Sequence, residues 1–332
     1  MDFVSRCYLD PVTAPAESLS RLCCFFPFFA IRMKKAFIQL HVAVFLAGFT
    51  SILGRLISLN EGLLVWYRLL ITSVTLWLLS LLGRKSQNLP MGDLLKIFGV
   101  GAIAALHWVS FYGSIKASNV SIALVCFSSV GFFTAILEPL IYRVKPDKEE
   151  LALGLMVMGG IYFIFQFDPR YKTGIAIGVI SAFLGSLFPV LNRRLLARIP
   201  YQTVTLYELS GGFLFLTLLL PFYLRSLPVT NIIPGLTDWI WLLILSWLCT
   251  VLAFNLSMSA LRKVSAFTVN LTYNLEPVYG IALAFVVFRE DRYLNGGFFT
   301  GFTLILLAIL LHMVKLWKGS RERSGSTGEP PM

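Results

Sequence analysis

Residues 62–82 read GLLVWYRLLITSVTLWLLSLL, with Arg68 as the single charge in an otherwise apolar or hydroxyl-bearing run. A bilayer-spanning helix needs about 20 such residues. At 1.5 Å per residue this run covers roughly 31 Å as a helix. A strand of a membrane barrel would alternate apolar and polar positions, and this stretch does not. It is read as a helix that crosses a membrane.

The same pattern repeats on both sides. The predicted spans are 36–57, 62–82, 94–115, 118–142, 149–167, 174–196, 201–223, 238–260, 264–288 and 294–316. Glycine, proline and charge clusters mark the joints, as at Gly83-Arg84-Lys85, Lys145-Pro146-Asp147 and Asp168-Pro169-Arg170. The expected fold class is an all-α integral membrane protein of ten transmembrane helices, with the lipid bilayer as its first partner.

Composition agrees. Mean hydropathy is +0.77 and charged residues make up 14%, against about 25% in soluble domains. The net charge of +11 does not indicate nucleic acid, because the basic residues sit in loops between apolar runs. Cys7, Cys23, Cys24, Cys126 and Cys249 form no CxxC or zinc spacing, and the three histidines lie far apart. No metal or cofactor is expected.

Loop charge sets the orientation. With the first span starting in the cytoplasm, that side holds Arg32, Lys34, Lys35, Arg84, Lys85, Arg143, Lys145, Lys148, Arg193, Arg194, Arg198, Arg262, Lys263, Lys315, Lys318, Arg321 and Arg323. The other side holds only Lys116, Arg170, Lys172, Arg225, Arg289 and Arg292. The excess predicts cytoplasmic termini. Five spans per half, 33–170 and 171–318, predict two repeats of opposite orientation, an arrangement that puts a substrate site near the midplane between them. Residues 1–32 are read as an extension, with Met33-Lys34-Lys35 resembling a natural start; the alternative is a short interfacial anchor. Residues 319–332 are read as a disordered tail.

Ionisable groups inside spans are costly and mark candidate sites. Glu276 lies mid-span, followed by Pro277, which would free the Tyr273 carbonyl and kink a continuous helix. Thr272 and Tyr273 share its face, and Asn270 and Asn274 lie on another. Glu208 lies eight residues into the seventh span, before Gly211-Gly212. Leu137-Glu138-Pro139 echoes Leu275-Glu276-Pro277, but Glu138 is close to Arg143 and would also pair with loop cations. Arg68 would snorkel outward, or would hold an anionic substrate or a glutamate. Arg55 is read as snorkelling outward, with Glu61 as a candidate partner. Trp108 would line a cavity or simply pack. His107 and His41 are read as helix contacts, and Asn192 and Asn255 as polar links between helices. The glycines of the fifth and tenth spans predict close packing, so those spans are read as peripheral or as a homodimer face.

The chain resembles the EamA family of the drug/metabolite transporter superfamily. The resemblance rests on Trp66-Tyr67-Arg68-Leu69-Leu70, Leu137-Glu138-Pro139-Leu140, Cys249-Thr250-Val251-Leu252-Ala253-Phe254 and Tyr273-Asn274-Leu275-Glu276-Pro277-Val278-Tyr279-Gly280, in order over residues 36–316. It departs from the family pattern in the fourth span, where Ser128, Ser129 and Gly131 stand in place of a mid-helix proline. The resemblance implies a secondary transporter of the bacterial cytoplasmic membrane, moving a small molecule, mostly by export. Its cavity would be lined by spans one to four and six to nine. No P-loop, HExxH or GxSxG motif is present. The rival readings are an intramembrane enzyme acting on a lipid or isoprenoid, and a non-transporting membrane subunit.

Overall fold

The computed structural model describes residues 17–83, 89–167, 169–226, 231–261, 272–273 and 275–327. Among these residues the chain is helical, with no strand. In chain order the helices are α1 (Glu17–Leu56), α2 (Glu61–Gly83), α3 (Met91–Ala117), α4 (Val120–Phe127), α5 (Val130–Tyr142), α6 (Lys148–Phe167), α7 (Lys172–Leu196), α8 (Tyr201–Ser226), α9 (Leu236–Ser246), α10 (Ala253–Leu261), α11 (Glu276–Phe288) and α12 (Gly296–Thr327). A π-helical segment, Trp247–Leu252, joins α9 to α10. Nine stretches among the described residues are long and apolar enough to cross a membrane, Phe37–Leu56 being that part of α1; Glu276–Phe288 is a shorter apolar helix.

Two predicted spans are broken. The fourth turns at Ser128 and Ser129, which separate α4 from α5. The Ser129 hydroxyl bonds the carbonyl of Cys126 at 2.6 Å and its N–H bonds the same carbonyl at 3.0 Å. Asn119 caps α4, its side chain accepting from the Ile122 N–H at 2.8 Å. In the ninth, Pro277 does not kink a continuous helix. Leu275 is a turn residue and α11 starts at Glu276, with Pro277 in its first turn. That is where a missing N–H costs least, because the first-turn donors have no intrahelical partner. Both α5 and α11 are 13 residues long and end at an arginine in the left-handed region, Arg143 (φ 54°) and Arg289 (φ 53°).

Lipid gives helices little hydrophobic reason to associate, so small residues and close backbone approach matter. The packing follows that rule. A Cβ on Gly301 of α12 would lie 2.4 Å from the carbonyl oxygen of Gly160 in α6. The glycines expected to allow close packing therefore meet within one chain. At the loop end of this pair, Lys315 bonds Asp147 at 2.5 Å. That bond holds the Asp147 carboxyl below its ordinary pKa. α3 is the central helix, packed along both α7 and α8, while α1 packs against α10 and α11.

Candidate functional site

A cavity of about 420 Å³ lies inside the bundle, in the half nearest the α7–α8 turn. Its walls come from α2 (Thr72, Leu76), α3 (Trp108), α7 (Phe188, Asn192), α8 (Tyr201, Thr203, Glu208), the π segment (Thr250) and α10 (Phe254, Asn255). Such a volume suits a small molecule.

Glu208 sits in this wall because α8 can approach α3. A Cβ on Gly101 would lie 2.0 Å from the carbonyl oxygen of Glu208, and one on Gly212 would lie 2.7 Å from the carbonyl oxygen of Gly101. Only paired glycines permit this contact. Glu208 is 8% exposed, and its Oε2 accepts a hydrogen bond from Asn192 Nδ2 at 2.8 Å. The hydroxyls of Thr72 and Thr203 and the Oδ1 of Asn192 are buried without a hydrogen-bond partner. Buried polar atoms are usually satisfied, so this wall has spare bonding capacity.

Behind the Trp108 wall stands Arg68, which is 4% exposed. Its Nη1 donates to Tyr112 Oη at 2.8 Å and its Nε to Thr250 Oγ1 at 3.1 Å. Its Cζ lies 4.3 Å from the centroid of the Trp108 ring. Thr250 belongs to the π-helical turn and also donates to the Leu245 carbonyl at 2.9 Å. The π turn swings that hydroxyl toward α2; such bulges recur at functional sites. Arg68 therefore does not snorkel. Its fork is held by two side chains behind Trp108, and it does not line the cavity.

The remaining candidates scatter. Tyr273 Oη bonds Ser257 Oγ at 2.5 Å, and Tyr273 packs with Leu275 and Tyr279 against Leu40 and Val44. Glu276 is half-buried at the start of α11, outside the cavity wall. Glu138 is ion-paired with Arg193, a cation of the last turn of α7 and not of a loop. Asn270 and Asn274 lie outside the described residues, as do residues 1–16. Asn192 links α7 to α8, whereas Asn255 donates to Val251 of its own chain segment and joins no second helix among the described residues. His107 is buried, its Nδ1 2.9 Å from the Ser181 carbonyl; His41 Nδ1 lies 3.1 Å from Tyr279 Oη.

The opposite end of the bundle holds what sequence reading missed. Glu290 reads as ordinary loop charge, yet it is 1% exposed. It accepts from the Val120 N–H at 3.1 Å and from the Ser121 N–H and hydroxyl at 2.8 and 2.6 Å. It also takes Arg55, which therefore pairs with Glu290 and not with Glu61. Glu61 instead accepts from Tyr223 Oη at 2.9 Å. Asp238 accepts from the Ser58 N–H at 2.8 Å and its hydroxyl at 2.6 Å. Lys116 donates to the Ile57 carbonyl at 3.2 Å and to that of Leu59. These contacts tie α1, α2, α3, α4, α8, α9 and α11 together at one end. The only sequence signal was Asn119 as a helix cap, which puts free amides where an anion is stabilised. Among the described residues no group of three or more His, Cys, Asp or Glu could hold a metal.

A model of the EamA-like transporter family matches the chain twice, over residues 34–166 and 172–314. Two proteins of Bacillus subtilis are similar to it. The uncharacterized transporter YxxF is 23% identical over 287 residues, covering 82% of this chain and 89% of that protein. The uncharacterized transporter YetK is 25% identical over 272 residues, covering 77% and 80%. An uncharacterized transporter of Haemophilus influenzae is 28% identical over 167 residues, covering 46% of this chain and 53% of its own. A solved structure described only as "Crystal structure of protein" shares the fold at 16% identity, with a TM-score of 0.58 over 86% of this chain and 98% of the other. The family match runs through every helix that builds the cavity and the sealed end, and this multi-pass membrane protein belongs to the EamA-like transporter family of the drug/metabolite transporter superfamily.

Proposed function

We propose that this protein is a secondary transporter of the cytoplasmic membrane that exports a small metabolite by alternating access. The observation that carries the proposal is the cavity of about 420 Å³ in one half of the bundle, set against a polar seal at the other end. A bundle closed at one end and hollow at the other is one of the two states that alternating access requires. The proposal takes ten spans in two inverted five-helix repeats. Support comes from the two consecutive family matches and from α5 and α11, equal in length and ending alike. With both termini cytoplasmic, the cavity faces the cytoplasm and the seal faces outward. Glu208 is assigned to binding and Glu276 to coupling. A homodimer, if it forms through α6 and α12, uses their outward faces, because Gly160 and Gly301 already face each other.

The rival enzyme would need free carboxylates clustered at an interface. Glu290 and Asp238 are instead engaged by amides, hydroxyls and Arg55. The test is flux in proteoliposomes against a metabolite panel, with and without a pH gradient. Folded, reconstituted protein that moves no solute class under either condition removes the transport reading.

A further inference from the structure

We infer that the Glu208 cavity selects an organic cation, a compact aromatic or alkyl amine lacking a carboxylate; the inference rests on the transport reading and names its substrate class. Glu208 is the one ionisable acid in the described wall, and no Lys, Arg or His lines it. A carboxylate held at membrane depth is costly unless a positive charge or a proton offsets it. Asn192 Nδ2 donates to Oε2 at 2.8 Å. The described wall offers no cation to complete the pairing, so a ligand ammonium would supply the charge that otherwise only a proton could offset.

The rest of the wall fits the same ligand. Trp108, Phe188, Tyr201 and Phe254 surround the space, and aromatic faces attract ammonium groups. Gln202, Thr205 and Asn255 add polar side chains to the same wall. An anion finds no such match. Arg68 lies outside this wall, held behind Trp108 by Tyr112 and Thr250.

The test is calorimetric binding to purified protein in detergent. The probes share one ring: phenethylamine, its neutral analogue 2-phenylethanol, phenylacetate and phenylalanine. The amine is expected to bind roughly tenfold or more tightly than 2-phenylethanol, the margin of a charged hydrogen bond. Glu208→Gln is expected to bring the two to near equality while 2-phenylethanol binding persists, showing an intact cavity. Three outcomes overturn the inference in the wild type alone, whatever the variant does: equal binding of amine and alcohol, preference for phenylacetate or phenylalanine, or no amine binding at millimolar concentration. Proteoliposomes that carry an anion or a neutral solute would keep the transport reading while removing this one.

Discussion

The carboxylate of Glu290 accepts both the backbone N–H and the hydroxyl of Ser121, at 2.8 and 2.6 Å, across 169 residues of chain. It acts as a cap for α4 supplied by the turn after α11, and it brings Arg55 of α1 into the same contact. One side chain thus joins three helices at the sealed end.

Replacing Glu290 with Ala leaves the first amides of α4 without their acceptor. The expected cost is about 1–3 kcal/mol, read as a lower thermal unfolding midpoint in detergent. A cysteine placed at Ser121 should also label several-fold faster with an impermeant maleimide from outside. Unchanged labelling would mean that this contact does not hold the seal.

Glu276→Gln should keep the fold, since the amide preserves shape and Glu276 has no ion-pair partner among the described residues. Gradient-driven uptake should fall by roughly tenfold or more if this carboxyl couples transport. Glu138→Gln, which breaks only a partly exposed pair with Arg193, should stay within twofold. Wild-type uptake by Glu276→Gln would make that carboxyl structural.

Arg68→Lys keeps the charge but cannot donate to Tyr112 and Thr250 in one plane or stack on Trp108 in the same way. Uptake is expected to drop several-fold with the protein still folded. Arg68→Ala leaves two buried hydroxyls without their donor and should cost about 1–3 kcal/mol for each. Both variants are checked by melting temperature and initial uptake rate.

Gly101→Ala puts a methyl group 2.0 Å from the Glu208 carbonyl oxygen. Overpacking of this kind costs roughly 1–3 kcal/mol, and the shift should carry Glu208 out of place and weaken ligand binding. Gly99→Ala, where nothing lies within 4 Å, is the control and should do neither.

Asp147 is partly exposed and bonded to Lys315 at 2.5 Å, which lowers its pKa. A lowered carboxyl pKa stabilises the folded state above the group's ordinary value of 3.8. That stability fades as pH falls through the folded value. Solvent exposure limits the pair to at most about 1 kcal/mol. Asp147→Asn should therefore lower the melting temperature slightly at pH 7, and the difference should shrink as pH falls below 3.8.

The membrane helices were legible in the sequence because apolar length is a local property, and each span carries its own. Pro277 marked an irregularity in the ninth span, read as a kink where the structure starts a helix, and a glutamate beside it was conspicuous for the same local reason. The pairing of Gly160 with Gly301 was half visible: small residues signal close approach but do not name the partner. What only the tertiary structure decided was which polar groups meet. Arg55 chose Glu290 over the nearer Glu61, and Glu290 turned from loop charge into the cap of α4, because free amides and a cation converge there from segments far apart in sequence. Glu208 became a cavity residue while Glu276 did not, although both are carboxyls within predicted spans. That difference lies in the Gly101–Gly212 approach of α3 and α8, a distance between backbones that neither helix encodes alone.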